Sequence, residues 1–516
     1  MTSTVEPGPA PVRPSLYDRW WVLVRADPRT ARLVDAFAPI LLTLLAAVLR
    51  FANLANPHAL VFDETYYVKD AWSQWNLGYP AVWPLSDTDA LFAEGDTDTY
   101  STNGSFVVHP PLGKWIIGAG MALFGADSSF GWRFSVALFG TATVLLVYLV
   151  AKTLTRSTPV AALAGLLMAV DGLAIVLSRI ALLDGIIAFF ALLAFWFVLL
   201  DRRRHQDRLA LARRPGRRAA VTAWGPILWG RPWLVAAGLA AGAATAVKWS
   251  GLYVLAALGI YVVVTDALAR RRLGVRLWPL GAVGQGAVAA VLMLPVAAVV
   301  YLASWTGWLL TADGYARQDD PSGGMLSWLP RSLQALIGYH EAVYEFHVGL
   351  STPHSYESPA WQWPLLVRPT SMYWNDADGT VQAVSSIPNP LIWWAGAAAV
   401  VYLVYRFVVR RDMASAFVLT GVVATYVPWL LYPERTIFQF YTIVILPFLV
   451  IAIALAARDI AGAADASAER RKTGQRVVWV FLVGVIALSI FWYPVWTGLP
   501  VPYEFWRLHN WLQTWV

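Results

Sequence analysis

Apolar runs of about 17 to 25 residues recur from Asp35 to Tyr493, and each can cross a hydrocarbon layer of about 30 Å as a helix. Inside lipid every backbone N–H and C=O must find a partner, so repeated runs of this length dictate helices. Of the 516 residues 58% are hydrophobic and only 14% charged, where soluble domains carry roughly a quarter charged residues. An ordinary cytosolic enzyme and a disordered chain are both excluded. The 28 Trp, 21 Tyr and 22 Phe gather at the ends of many runs, where amphipathic rings anchor at the interface. There is no Cys, which removes disulfides, zinc–thiolate sites and thiol nucleophiles.

The runs cover 35–52, 132–151, 158–177, 180–200, 233–247, 250–265, 278–303, 391–409, 413–431, 437–457 and 477–493. The ambiguous piece is 233–265, interrupted by Lys248-Trp249-Ser250-Gly251. As one helix it would measure roughly 50 Å, too long for the hydrocarbon core. Charge favours a hairpin at Lys248. Segments 1–34, 152–156, 201–231, 270–276, 406–411 and 458–476 then share one side and hold five, two, nine, four, three and five basic residues, 28 of the 39. That satisfies the positive-inside rule, which a single long span would break. The reading is an all-α polytopic protein of eleven spans, with the N-terminus cytoplasmic and the C-terminus external. Residues 1–34 form a Pro- and Arg-rich cytoplasmic tail without the apolar stretch of a cleavable signal.

Two large external segments follow, 53–131 and 304–390, each with an apolar stretch too short to span (112–125 and 325–338) that reads as an interfacial helix. The net charge of +7 lies in short cytoplasmic loops, which argues against nucleic acid. No Walker A or Gly-rich nucleotide fingerprint occurs, and no internal repeat of the inverted-transporter kind is visible. Any chemistry belongs outside.

Phe62-Asp63-Glu64-Thr65-Tyr66-Tyr67 puts two carboxylates among aromatics just after the first span. The pair could supply a general base tuned by its neighbour and by burial, or simply the acidic first turn of a helix. His109-Pro110-Pro111-Leu112-Gly113-Lys114 reads as a structural turn opening a helix, with His109 and Lys114 able to meet an anionic head group. Arg133, Asp171, Arg179, Asp184 and Lys248 sit at or near outer span ends, where ionisable groups are costly and face a cavity or one another. Arg133 and Lys248 read as an external anion site. For Asp171, Arg179 and Asp184 the plainer reading is structural, as Arg133–Asp171 or Arg179–Asp184 pairs. His347, His354, Glu357, Trp361 and Trp363 offer acid/base groups and rings suited to an acceptor or a sugar, at a spacing that matches no compact metal motif. Arg435, on the outer turn between the ninth and tenth spans, is a further cation there, although a lone turn Arg is usually solvated.

In this order the blocks resemble the dolichyl-phosphate-mannose-type protein O-mannosyltransferases in their bacterial form. The matching residues are Asp63-Glu64, HPPLGK at 109–114, Trp132-Arg133-Phe134-Ser135, SRIALLDGIIAFF at 178–190, VKWSGLY at 247–253, the 354–364 stretch and Arg435. Eukaryotic members carry a soluble β-trefoil-type domain after the seventh span, and 304–390 is too short to hold one. The resemblance implies a GT-C glycosyltransferase fold over 35–516, a polyprenyl-phosphate-mannose donor, and transfer with inversion to Ser or Thr of exported polypeptides, with transfer during translocation left open. It implies Asp63 as the base, Glu64 as its tuning or acceptor-positioning neighbour, and Arg133 on phosphate with Lys248, Arg435, His109 and Lys114 as weaker candidates. A divalent cation, Mg or Mn, is a possible cofactor. The 34 Arg against 5 Lys fit a GC-rich bacterial genome, hence a bacterial cell membrane. Two other classes fit less well: a GT-C enzyme acting on a glycan or lipid, and a transporter or flippase, which would place ionisable groups near mid-bilayer.

Overall fold

The computed structural model describes residues 14–212, 223–319, 326–463 and 465–516. In chain order the helices are α1 (Leu16–Ala26), α2 (Pro28–Phe51), α3 (Glu64–Leu77), α4 (Thr88–Ala93), α5 (Leu112–Phe124), α6 (Ser129–Thr155), α7 (Thr158–Val170), α8 (Gly172–Val176), α9 (Leu183–Ala212) and α10 (Pro232–Val247). They continue with α11 (Gly251–Arg272), α12 (Trp278–Ser304), α13 (Thr306–Leu310), α14 (Arg331–Gly349), α15 (Pro390–Arg410), α16 (Met413–Tyr426), α17 (Leu446–Ala461), α18 (Ala468–Thr497) and α19 (Tyr503–Arg507). Side-chain caps and prolines set several starts. Asp27 accepts from the Arg29 and Thr30 N–H groups ahead of Pro28, and Asn389 from Leu391 and Ile392 ahead of Pro390.

Each of the eleven apolar runs carries a helix, but among the described residues only eight helices are long and apolar enough to cross a membrane alone. The run at 158–177 breaks at Asp171, whose extended backbone separates α7 from α8. The run at 437–457 opens as a 3-10 turn, Gln439–Val444, before α17, and α10 has 16 residues. The chain is a multi-pass membrane protein. Its core lies where α7, α8, α9 and α17 meet, around Ile180, Leu192, Phe195, Phe448 and Leu455. In its most apolar stretch α2 has only 6% of residues buried, against 67% for α9, so α2 turns its apolar side chains outward, as a lipid-facing span does.

The fold is mostly helical, as expected, with one small addition and two corrections. β1 (Ser371–Ala377), β2 (Thr380–Ser385) and β3 (Val501–Pro502) form an antiparallel sheet in the order β1-β2-β3. The two-residue turn Asp378-Gly379 has φ of 52° and 77°, the left-handed pair that a tight hairpin needs and Asp-Gly readily adopts. The segment before the first span is not a plain tail. Residues 16–26 are helical, with Asp18 buried against Arg471 and Gln475 of α18, while positions 1–13 lie outside the described residues. The helix expected at 325–338 runs from Arg331 to Gly349, packing Leu336, Tyr339 and Val343 on Tyr79, Trp305 and Trp308; position 325 lies outside the described residues.

Candidate active site

Asp63 stands at the N-cap of α3 but makes no capping bond, so its carboxylate is not consumed by the helix end. Before it, Phe62 sits in the left-handed region at φ 50°, a conformation that costs a non-glycine residue about 1–2 kcal/mol. Edge-on rings hold it there: Phe440 at 5.5 Å, Phe438 at 5.8 Å and His354 at 6.2 Å between centroids. Burial raises the Asp63 carboxyl to about 6, with Lys248 pulling it down and Asp184 pushing it up. Such a carboxylate is poised to accept a proton near neutral pH.

Glu64 is placed differently. Fully buried, it accepts Arg133 Nε at Oε1 (2.9 Å) and Arg133 Nη2 at Oε2 (2.8 Å), together with the N–H groups of Ala181 (2.7 Å) and Val61 (3.0 Å). Arg133 spends its remaining donors on the carbonyls of Leu54, Pro57 and Ala59. This corrects the phosphate-ligand reading of Arg133: a guanidinium with no exposure and five acceptors has no donor left for a ligand. It also removes Glu64 from contact with an acceptor. The anticipated ion pairs are absent too. Arg179 donates to the carbonyls of Arg50, Ala52 and Asn53. Asp171 caps α8 through Ala174 N–H and holds Asn389 N–H, each at 3.1 Å.

Beside Asp63 opens a cavity of about 760 Å³ between α10, α11, α12, α14 and the turns after α16. It gathers His109, Asp184, Lys248, His347 and Arg435, which are scattered through more than 300 positions of sequence. Lys248 reaches it because the chain breaks to extended backbone between α10 and α11. Its Nζ binds Asp184 Oδ2 at 2.7 Å and lies 5.2 Å from the Tyr441 ring centre. Arg435 has no carboxylate within ion-pair distance among the described residues. It stacks over Trp429 at 5.7 Å, and its buried Nε has no partner. Its Nη2 meets His347 Nδ1 at 3.0 Å, and a guanidinium without a carboxylate partner can pair with an anion.

The Pro110-Pro111 entry brings His109 to the same wall, and Gly113 lets α5 approach α9. A Cβ on Gly113 would stand 2.5 Å from Leu183 Cδ2. The His109 and His347 rings stack at 5.4 Å. Burial and then surrounding cations push both below the ordinary histidine value, His347 to about 4. Lys114 turns away from the cavity. Its buried Nζ donates to His109 O at 2.7 Å, and burial lowers it to about 8. It supports the loop rather than meeting a ligand.

Within 354–364, Trp363 is buried and donates to Ser358 O, a packing role. Glu357 accepts the His354 N–H at 3.3 Å, and Trp361 is 62% exposed. None of these four lines the cavity. Among the described residues no three His, Asp or Glu side chains cluster as a metal site would need. The sequence reading passed over Tyr253, Tyr432, Tyr441, Trp249 and His340, all cavity-lining. Only Trp249 and Tyr253 lay in a motif already noted, VKWSGLY.

Residues 40–311 match the family model described as Dolichyl-phosphate-mannose-protein mannosyltransferase, and residues 332–515 match that of the C-terminal four TMM region of protein-O-mannosyltransferase. The chain belongs to this family. Among similar proteins, the polyprenol-phosphate-mannose–protein mannosyltransferase of Mycobacterium tuberculosis is 35% identical over 496 residues, covering 92% of this chain and 91% of its own. The Corynebacterium glutamicum protein of the same name is 29% identical over 505 residues, covering 93% and 94%. Among solved structures, the yeast Pmt1–Pmt2 complex bound to the sugar donor aligns with TM-score 0.69 at 15% identity, over 93% of this chain and 92% of that one. An archaeal oligosaccharyltransferase from Archaeoglobus fulgidus aligns with TM-score 0.51 at 16% identity, over 92% and 56%. At those identities the likeness is one of fold, and the fold is GT-C. This member of the protein mannosyltransferase family is a glycosyltransferase.

Proposed function

We propose that the protein transfers mannose from a polyprenyl-phosphate-mannose donor to Ser or Thr hydroxyls of exported polypeptides at the outer face of a bacterial cell membrane. The observation that carries this reading is the Arg435 guanidinium, without a carboxylate partner among the described residues, in one cavity with Lys248; its other wall is apolar, and its Lys248 and Asp184 act on the neighbouring Asp63. A lipid phosphate needs both surfaces: cations for the head group and an apolar wall such as Leu255, Leu294 and Ala298 for the first isoprene units. The relatives' shared name, polyprenol-phosphate-mannose–protein mannosyltransferase, supports the same donor and acceptor.

In the proposed step the acceptor oxygen attacks the anomeric carbon and its proton passes to Asp63. The bond from that carbon to the phosphate oxygen breaks, and polyprenyl phosphate leaves with the bonding pair. Attack opposite the leaving group converts a β-linked donor into an α-mannoside. Arg435 and Lys248 stabilise the charge that grows on phosphate. Glu64 and Arg133 form the frame on which Asp63 stands, in place of the phosphate role first assigned to Arg133. Exposed Trp361 and His354 lie on the acceptor side. The eleven-span topology belongs to the same proposal, with 53–131 and 304–390 external, as does acceptor capture during translocation.

The test is purified protein with polyprenyl-phosphate-mannose and a Ser/Thr-rich peptide, read by mass spectrometry, with a lipid acceptor in a parallel arm. Hexose on the peptide is the expected result. Hexose on the lipid alone would transfer the assignment to a lipid-directed enzyme.

A further inference from the structure

His347 was read from sequence as an acceptor- or sugar-binding group, yet its two ring nitrogens are already committed. Nδ1 faces Arg435 Nη2 at 3.0 Å and Nε2 faces Val108 O at 3.0 Å. A guanidinium can only donate and a carbonyl can only accept, so these contacts fix the neutral tautomer that carries its proton on Nε2. The ring is stacked on His109, and Trp249 lies 6.0 Å away, so it has little freedom to turn. Behind it, Tyr339 of α14 accepts the Val107 N–H at 3.0 Å and donates to Val107 O at 3.1 Å. Lys114 holds His109 O, and Gln74 holds Pro111 O at 3.1 Å. On the far side, Thr436 N–H donates to Leu350 O at 3.2 Å and Thr436 Oγ1 to Thr352 O at 2.6 Å, tying the Arg435 turn to the chain that leaves α14. A rigid loop therefore reaches Arg435 through a single imidazole.

We propose that His347 is a positioning residue: it bridges the backbone of the 107–111 loop to Arg435 and aims the guanidinium at the phosphate of a polyprenyl-phosphate ligand. This rests on the cavity reading above, in which Arg435 meets that phosphate. Removal of the bridge weakens phosphate binding only through Arg435. His347→Leu removes both contacts. His347→Asn keeps an acceptor oxygen near the Nδ1 position.

The full-length protein in detergent, titrated with sugar-free polyprenyl phosphate, provides the test. His347→Leu should weaken binding about 10- to 100-fold, the worth of one hydrogen bond to a charged group, and His347→Asn should recover most of that loss. Arg435→Gln should weaken binding comparably, and His347→Leu combined with Arg435→Gln should bind no worse than Arg435→Gln alone. Donor KM should rise in His347→Leu while peptide KM stays unchanged. Losses that multiply in the double variant, or equal losses in His347→Leu and His347→Asn accompanied by lower melting temperatures, would overturn the proposal. Unchanged affinity in Arg435→Gln would instead overturn the cavity reading on which it stands.

Discussion

Arg133 grips Glu64 with two hydrogen bonds, Nε to Oε1 at 2.9 Å and Nη2 to Oε2 at 2.8 Å, and neither side chain has any exposure to solvent. The fork joins the start of α6 to the first residue of α3, and Asp63 is the residue before it. Two carboxylates adjacent in sequence thus have opposite fates. One is saturated by a cation and two N–H groups; the other is left without a cap bond beside the cavity.

Breaking a buried pair strands the other charge, at a cost of about 3–5 kcal/mol. Arg133→Ala and Glu64→Gln should therefore lower the melting temperature in detergent markedly. Arg133→Lys should recover little, because an ammonium cannot make the fork. Exchanging Arg133 with Asp171 should not restore stability, since Asp171 is held by Ala174 and Asn389. An Arg133→Ala protein that melts like wild type but no longer binds polyprenyl phosphate would return Arg133 to the phosphate site.

Asp63 works as a base only when ionised, and burial places its pKa at about 6. In a pH series, kcat/KM should fall as pH drops through about 6 and stay flat above it. Lys248 favours the carboxylate and Asp184 opposes it, so Lys248→Met should move the acid limb to higher pH. A limb at the ordinary carboxylate value of about 4, or a shift to lower pH in Lys248→Met, would contradict this electrostatic account.

The chain has no Cys, so introduced thiols report topology without background. Ser250→Cys should react with a reagent that cannot cross the membrane, and Gly274→Cys should not. The opposite labelling pattern would remove the hairpin at Lys248 and the eleven-span count with it.

Much of the scaffold was legible because apolar run length is a local property. All eleven runs carry helices, and the break at Lys248 stands between α10 and α11. What escaped was short or non-local. The hairpin at Asp378-Gly379 carried a strong turn signal that the membrane pattern overshadowed. Glu64 and Arg133 are 69 positions apart, so Arg133 looked like a free cation at a span end until its partner was in place. His347 and Arg435, 88 positions apart, each looked like a separate ligand. Lys248 and Asp184 were recognised as charges at outer span ends, but their pairing with each other was not. Sequence marks where charge is costly; only the packing tells which charges neutralise one another.

The central claim is that Asp63 removes the acceptor proton while the neighbouring cavity binds the donor phosphate. The most direct measurement is turnover of polyprenyl-phosphate-mannose onto a Ser/Thr peptide by Asp63→Asn, with polyprenyl-phosphate affinity measured on the same preparation. Loss of a general base typically costs about 10² to 10⁴ in rate, so turnover should fall by that factor while affinity for the lipid phosphate and the melting temperature hold. Retention of more than roughly a third of wild-type turnover, far above what base loss allows, would contradict the account.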